Sequence, residues 1–223
     1  MTRPAFYALE RGGWRDYVTL LHLPYTAWHL SYVAIGAALS AEFAGRRLLA
    51  ALASFFLALG IGAHALDELN GHPLRTRIPD WTLIGLAAVS IGTATAIGVV
   101  AALVWTPWLL LFVAAGAFLV VAYNLELFGG VFHTDLWFGL AWGSFPLLTA
   151  YFVVAETLTL EALFAAIFAL LTSLAQRTLS TQVRNIRRRG AGDLSMLTVP
   201  ETALRLLSLA MVSLAAALVA LRF

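Results

Sequence analysis

The residues best equipped for chemistry in this chain are an imidazole and two carboxylates within about one helical turn. His64, Asp67 and Glu68 stand at positions i, i+3 and i+4, so in a helix they share one face. Neighbouring carboxylates beside a histidine suit a hard divalent cation or proton transfer. Asn70 and His72 extend the cluster. We predict that it lines a functional site; the alternative is a solvated helix end.

A second set of polar residues flanks the break between two later apolar segments. Tyr123 and Glu126 are three residues apart and face the same way in a helix, although a tyrosine there is also typical of a membrane-interface belt. His133 and Asp135 precede the next segment. Asp135 or its neighbour Thr134 alternatively caps that helix.

Arginines recur along one face of a further apolar segment. Arg177, Arg184 and Arg188 are separated by seven and four residues, and Gln176 and Ser180 flank the stripe. Each guanidinium can bind two oxygens of a phosphate or diphosphate. The alternative is anchoring to anionic lipid head groups, which we favour for the run 187–189.

The elements that position these residues are apolar segments of near-spanning length. The chain is 61% hydrophobic and 12% charged, with a mean hydropathy of +0.86, so the bilayer must solvate most of it. The segments cover residues 20–42, 48–68, 81–104, 106–124, 136–156, 160–182 and 202–222. They predict an all-α membrane bundle of about seven transmembrane helices, which forms one domain over 1–223 with an N-terminal arm at 1–19.

Charge placement predicts the orientation of this multi-pass protein. With the N-terminus inside, eleven of the 14 arginines fall on the cytoplasmic side, as the positive-inside rule requires. The candidate site residues then lie at the same face. The net charge of +2 gives no reason to expect nucleic acid as a partner. The absence of cysteine and lysine excludes thiolate and lysine Schiff-base chemistry.

Four stretches resemble the UbiA superfamily of intramembrane prenyltransferases, collinearly over about residues 18–205. "LHLPYTAWHLSYVAIGAALS" resembles the opening helix of that family. "GIGAHALDELNGHPLRTRIP" resembles its first aspartate-rich motif. "YNLELFGGVFHTDLWFGLAWGSFPLL" resembles its tyrosine-containing connection into the fifth helix, and "LSTQVRNIRRRGAGDLSMLTVP" occupies the place of its second acidic motif.

The resemblance implies an enzyme that binds an isoprenoid diphosphate with Mg²⁺ and transfers the isoprenyl group to an acceptor. This chain departs from the pattern, because arginines replace the second motif, leaving Asp193 nearby, and because seven helices stand where the family usually has nine. One metal on Asp67 and Glu68 of the second apolar segment, with arginines of the sixth segment on the phosphate, would neutralise the charge of the same diphosphate. Membrane lipids are the other expected partners, and the sequence gives no oligomeric state.

The predicted site residues fall into three groups. The catalytic candidates are His64, Asp67, Glu68, Tyr123 and His133; the substrate-binding candidates are Asn70, His72, Arg75, Asn124, Gln176, Arg177, Ser180, Arg184 and Arg188; and the candidate metal ligands are Asp67, Glu68, Glu126 and Asp135. His22 and His29 are assigned to the core or the interface.

Two other functions are compatible with the same residues. The mixture of imidazoles and carboxylates also suits iron, manganese or zinc, and therefore a different lipid-modifying metalloenzyme on the same scaffold. Loss of the second acidic motif is compatible with a protein that binds an isoprenoid or another lipid without catalysis.

Overall fold

The computed structural model describes residues 4–189 and 195–223, and these residues form helices and connecting loops without a β-strand. The principal helices are α1 Trp14–Leu20, α2 Leu23–Leu39, α3 Gly45–Leu69, α4 Asp80–Val104, α5 Leu109–Asn124, α6 Asp135–Ala155, α7 Leu160–Arg189 and α8 Thr198–Ala220. The all-α prediction is confirmed. Asp193 lies outside the described residues.

Five helices, α3, α4, α6, α7 and α8, are long and apolar enough to cross a membrane. A multi-pass membrane protein is therefore the correct class. The helices α2 and α5 have 17 and 16 residues, slightly fewer than the roughly 20 residues that span a bilayer.

Local backbone chemistry moves some helix boundaries from their predicted places. The first predicted segment splits, because His22 adopts a left-handed backbone with φ 45° and α2 begins at Leu23, with a proline in its first turn. The last helix begins at Thr198, so Pro200 lies in its first turn, where a missing N–H is harmless. Thr134 caps α6, because its hydroxyl accepts from the Trp137 N–H at 3.3 Å.

Helix α2 packs against both α6 and α8. Its contact with α6 is close at Gly36, where a Cβ atom would lie 2.2 Å from the Leu147 carbonyl oxygen. Trp28 and Tyr32 on α2 are buried, and the Trp28 indole donates to the Tyr32 hydroxyl at 2.6 Å. A glycine at position 36 thus allows α2 to lie against α6.

Two helices are interrupted by wider, π-helical turns. One covers Phe56–Ala63 within α3, and the other covers Leu140–Ser144 within α6. Such turns are rare and often occur at functional sites. Both lie directly beside the predicted polar residues, because His64 follows the first and the second begins five residues after Asp135.

Candidate functional site

A polar cavity of about 560 Å³ lies at one end of the bundle. We call it the polar chamber. Its walls are the ends of α2, α3, α5, α6 and α7 that meet there, and residues 4–7 and 73–75 cover it. The structure therefore brings together residues from the three polar sets that the sequence analysis singled out. The predicted residues that line it are His64, Asp67, Arg75, Tyr123, Asn124, His133, Asp135, Gln176, Arg177, Ser180, Arg184 and Arg188.

Three histidines of the chamber are anchored in the same way, each through Nδ1 to a backbone carbonyl. The contacts are His29 to Trp142 (2.8 Å), His64 to Gly60 (3.1 Å) and His133 to Tyr123 (2.9 Å). A carbonyl oxygen only accepts, so Nδ1 must carry the proton. In the neutral form of such a ring, Nε2 keeps its lone pair and can act as an acceptor or base.

The two arginines of the predicted phosphate clamp are in different states. Arg177 is paired with Asp135, at 3.1 Å between Nε and Oδ1, and lies over the Phe138 ring at 5.1 Å. Arg184 donates to the Thr181 hydroxyl at 2.9 Å. Within the described part of the chain it has no carboxylate partner, so its positive charge is available to an anion in the chamber.

Three buried polar atoms at the chamber have no hydrogen-bond partner among the described residues. They are Nε2 of His22, the hydroxyl of Tyr123 and Oε1 of Gln176. Tyr123 and Gln176 are only 4% and 3% exposed. Buried polar groups are nearly always satisfied, and an unsatisfied one costs about 1–3 kcal/mol. Their presence on one cavity supports a ligand that supplies the missing partners.

The N-terminal arm closes part of the chamber. The Tyr7 hydroxyl lies 2.9 Å from Nδ1 of His22, and the His22 ring stacks on His64 with centroids 4.1 Å apart. Asp16 accepts from the backbone N–H groups of Gly12 and Arg77, at 3.0 and 2.8 Å. The predicted N-terminal arm is thus held against the bundle by hydrogen bonds that could not be predicted from the sequence pattern.

Burial shifts the ionisation of the two arm-contact residues. It raises the pKa of Tyr7, an effect to which the neighbouring Tyr25 adds. Burial also lowers the pKa of the His22 imidazole, and the adjacent His64 lowers it further. Both residues are therefore neutral at physiological pH. Sequence reasoning missed Tyr7, and it assigned His22 and His29 to the core or the interface although both line the chamber.

The structure separates Glu68 from Asp67. Glu68 is fully buried and points into the loop after α3, where it accepts from the backbone N–H groups of Leu74 (2.9 Å) and Thr76 (2.8 Å) and from the Thr76 hydroxyl (2.9 Å). Adjacent helical residues point about 100° apart, so only Asp67 faces the chamber. Glu68, predicted as a catalytic residue and metal ligand, thus points away from the chamber, and its carboxylate accepts three hydrogen bonds from the loop.

Three further predicted residues lie with the loop rather than in the chamber. Glu126 is exposed, with its Oε1 3.5 Å from the Asn70 side-chain nitrogen. His72 lies 3.8 Å from Glu68 and 3.5 Å from Asp80. The four predicted metal ligands therefore do not converge, and within residues 4–189 and 195–223 no three His, Asp or Glu side chains are close enough to hold a metal ion.

An apolar groove adjoins the chamber inside the bundle. It lies between α3, α4, α5 and α6, is smaller than the chamber at about 120 Å³, and is lined mostly by alanine, glycine and aromatic residues. Leu59 and Trp142 line both spaces, and each belongs to a π-helical turn. A charged head and an apolar tail of one molecule could therefore occupy the two spaces together.

Comparison of this chain with protein-family models, with curated proteins and with solved structures gives no match.

Proposed function

We propose that this protein is an intramembrane transferase of UbiA-like fold that acts on an isoprenoid diphosphate. The observation that carries the proposal is that a polar chamber lined by arginines adjoins an apolar groove, with Leu59 and Trp142 lining both. A single-chain amphiphile with an anionic head matches both spaces in polarity. The interior position of the charged residues supports a functional site, since ionisable groups at such depth are expensive.

The diphosphate head lies against α7. Arg184 supplies a guanidinium without a carboxylate partner, and the side chains of Ser180 and Thr181 stand beside it. Arg177 is held by Asp135 over Phe138 and adds a second positive charge. Guanidinium groups stabilise the negative charge that develops when a phosphate oxygen becomes a leaving group.

The reaction breaks the bond between the first isoprenyl carbon and the diphosphate oxygen, and the electron pair leaves with the oxygen. The allylic carbon then bonds to a nucleophilic atom of the acceptor, which loses a proton. His64 is placed to take that proton, because Nδ1 is committed to the Gly60 carbonyl and Nε2 is a free base. The aromatic rings of Tyr123 and Trp142 flank the same space.

The proposal includes one Mg²⁺ ion with fewer protein ligands than the sequence predicts. Mg²⁺ usually binds one or two protein carboxylates together with substrate phosphates and water, so Asp67 alone fits one ion that arrives with the diphosphate. When bound, the ion neutralises phosphate charge. The arrangement does not fit a site made of all four predicted acids.

The proposed topology has seven crossings, with α2 and α5 as short spans and the N-terminus and chamber on the cytoplasmic side. The arginine distribution supports this orientation. At the end of the bundle opposite the chamber, Arg47 pairs with Glu156 at 2.8 Å and Arg222 donates to the Ala38 carbonyl. Labelling of single cysteines introduced at positions 15 and 46, in intact cells or sealed vesicles, measures the orientation. Labelling of position 15 from outside the cell would show that the orientation is the opposite of the proposed one.

The central test is binding of farnesyl diphosphate and of farnesol to the purified protein in lipid nanodiscs. We expect the diphosphate to bind at least tenfold more tightly. Arg184→Gln should weaken diphosphate binding by about 10- to 100-fold, since a charged hydrogen bond is worth about 1.5–3 kcal/mol. Arg15→Gln, at an exposed arginine of the same end, is the matched control. Equal affinity for the diphosphate and the alcohol would overturn the proposal.

Release of inorganic diphosphate from the same complex, with a panel of aromatic acceptors, then separates the transferase from its alternatives. Acceptor-dependent release supports transfer. Tight binding without release for every acceptor supports a lipid-binding protein. A stoichiometric transition metal in the purified protein would favour the metalloenzyme, for which the three Nδ1-anchored histidines are a typical feature.

A further inference from the structure

The apolar groove has a definite length. On α4 its lining runs from Ile91 to Trp105, and on α3 from Leu59 back to Ala50. At about 1.5 Å per helical residue these stretches measure about 21 Å and 14 Å. The groove therefore covers roughly half to two thirds of the approximately 30 Å hydrocarbon core of a bilayer. Its volume of about 120 Å³, against about 560 Å³ for the chamber, favours one chain over the two chains of a phospholipid.

At the far end of the groove lies a cluster of Trp105, Arg47 and Glu156, which we call the lock. Trp105 lies at the end of α4, and the Arg47 guanidinium sits over its ring at 5.2 Å. Arg47 also pairs with Glu156 at 2.8 Å and donates to the Val153 carbonyl at 2.8 Å. The lock therefore ties together the ends of α3, α4 and α6.

A lock of this kind is a barrier to an apolar chain. Trp105 and Val153 both line the groove, so they are the last apolar surfaces that a tail entering from the chamber would meet. Beyond them stand the Arg47–Glu156 pair and its hydrogen-bonded carbonyl. A longer tail would meet this partly exposed charged pair and would bury no further apolar surface of the groove.

We propose that Trp105, held in place by Arg47, is the end-stop that limits the length of the isoprenoid tail this protein accepts. This inference rests on the proposed function for the class of head group, a diphosphate, and requires only that the head of the ligand lies in the polar chamber. The substrate class becomes a single-chain isoprenyl diphosphate whose extended tail is no longer than the groove. Longer tails must bend out between the helices into lipid, and they lose contact surface.

The test measures binding of a series of isoprenyl diphosphates, from geranyl to octaprenyl, to the full-length protein in nanodiscs. We expect wild-type affinity to rise with tail length, reach a maximum and then fall at least fivefold. Trp105→Ala should move the maximum to a longer tail, and Trp105→Phe should keep it. Trp108→Ala is the matched control, because Trp108 is 67% exposed on the same turn. Arg47→Gln should blunt the maximum, since it frees Trp105.

A parallel series of isoprenyl alcohols, scored by the shift in melting temperature, separates the two proposals. If diphosphates and alcohols bind equally but Trp105→Ala still moves the preferred length, the proposed function fails and the end-stop stands. If diphosphates bind selectively but the maximum is absent, or is the same in Trp105→Ala and wild type, the end-stop is wrong and the proposed function stands. If neither series depends on tail length, the end-stop is overturned.

Discussion

The polar chamber and the apolar groove adjoin at Leu59 and Trp142, yet they are built by opposite means. In the groove, small and aromatic side chains leave space, and the polar atom of Thr149 is satisfied within its own helix by the Phe145 carbonyl at 2.7 Å. In the chamber, His22 contacts the Tyr7 hydroxyl through Nδ1, while its Nε2, the Tyr123 hydroxyl and Oε1 of Gln176 are buried without a hydrogen-bond partner among the described residues. The contrast indicates where a ligand's hydrogen bonds must fall.

The largest effect is expected from a change that affects the chamber and not the groove, namely loss of the hydrogen bonds that hold the loop covering the chamber. Glu68→Ala leaves three donors of the loop without their acceptor, and Leu74 and Arg75 of that loop cover the chamber. We expect a loss of about 3 kcal/mol in unfolding free energy, together with weaker binding of diphosphates. Denaturant unfolding in detergent measures it, with Glu68→Gln as the milder variant. A loss below that of an average surface substitution would mean that the loop is held by other contacts.

The next test concerns charge in the chamber. Asp67→Asn removes the one carboxylate of α3 that faces the space, without changing its volume. We expect the enhancement of farnesyl diphosphate binding by Mg²⁺, about tenfold in the wild type, to disappear, while binding without Mg²⁺ stays the same or strengthens because a negative charge is gone. Titrations with and without Mg²⁺ measure both. An unchanged Mg²⁺ effect in the variant would show that Asp67 does not contact the ion.

A smaller effect distinguishes polar atoms kept for a ligand from those already satisfied. Tyr123→Phe removes a buried hydroxyl without a partner, so the ligand-free protein should gain about 1 kcal/mol of stability while diphosphate affinity falls several-fold. Thr149→Val in the groove is the matched change and should leave affinity unaltered. Thermal unfolding and titration of both variants provide the comparison. A destabilised Tyr123→Phe protein would indicate that the hydroxyl is satisfied in the native state.

The smallest effect is a pH dependence that arises at the arm. Burial lowers the pKa of His22 below its ordinary value, so the unfolded chain binds a proton that the folded protein excludes. The stability contributed by neutral His22 is present above about pH 6.5 and is lost as the pH falls, by about 1 kcal/mol between pH 6.5 and 5.5. Comparing thermal unfolding of wild type and His22→Gln over that range isolates the contribution. If the stability of wild type and of His22→Gln changes with pH in the same way, other groups cause the pH dependence.

Much of this architecture was accessible from sequence, because hydrophobic run length is a strong signal in a membrane protein. Each predicted segment overlaps one of the helices α2 to α8, although several of these helices begin or end a few residues outside the segment. The convergence of Asp67 with Arg184 on one cavity follows from the alternation of helix directions, which places the end of α3 and the end of α7 at the same side.

Other features depend on contacts that spacing does not encode. Glu68 and Asp67 are adjacent in sequence, and the fold of the following loop decides which of the two carboxylates accepts hydrogen bonds from backbone N–H groups. The arm around Tyr7 has no helical periodicity, so its return to His22 could not be predicted. The π-helical turns also lack a recognisable pattern, and they decide where the chamber meets the groove.

The wide turn at Phe56–Ala63 has a consequence for how this protein can vary. Each π-helical turn takes up more residues than an α-helical one, and one residue corresponds to about 100° of rotation about the helix axis. Removing a single residue there would therefore swing His64 and Asp67 to a different side while preserving nearly the whole composition of α3. Insertions and deletions in this stretch should be tolerated far less than conservative replacements, since the length of the stretch sets the direction in which the His64 and Asp67 side chains point.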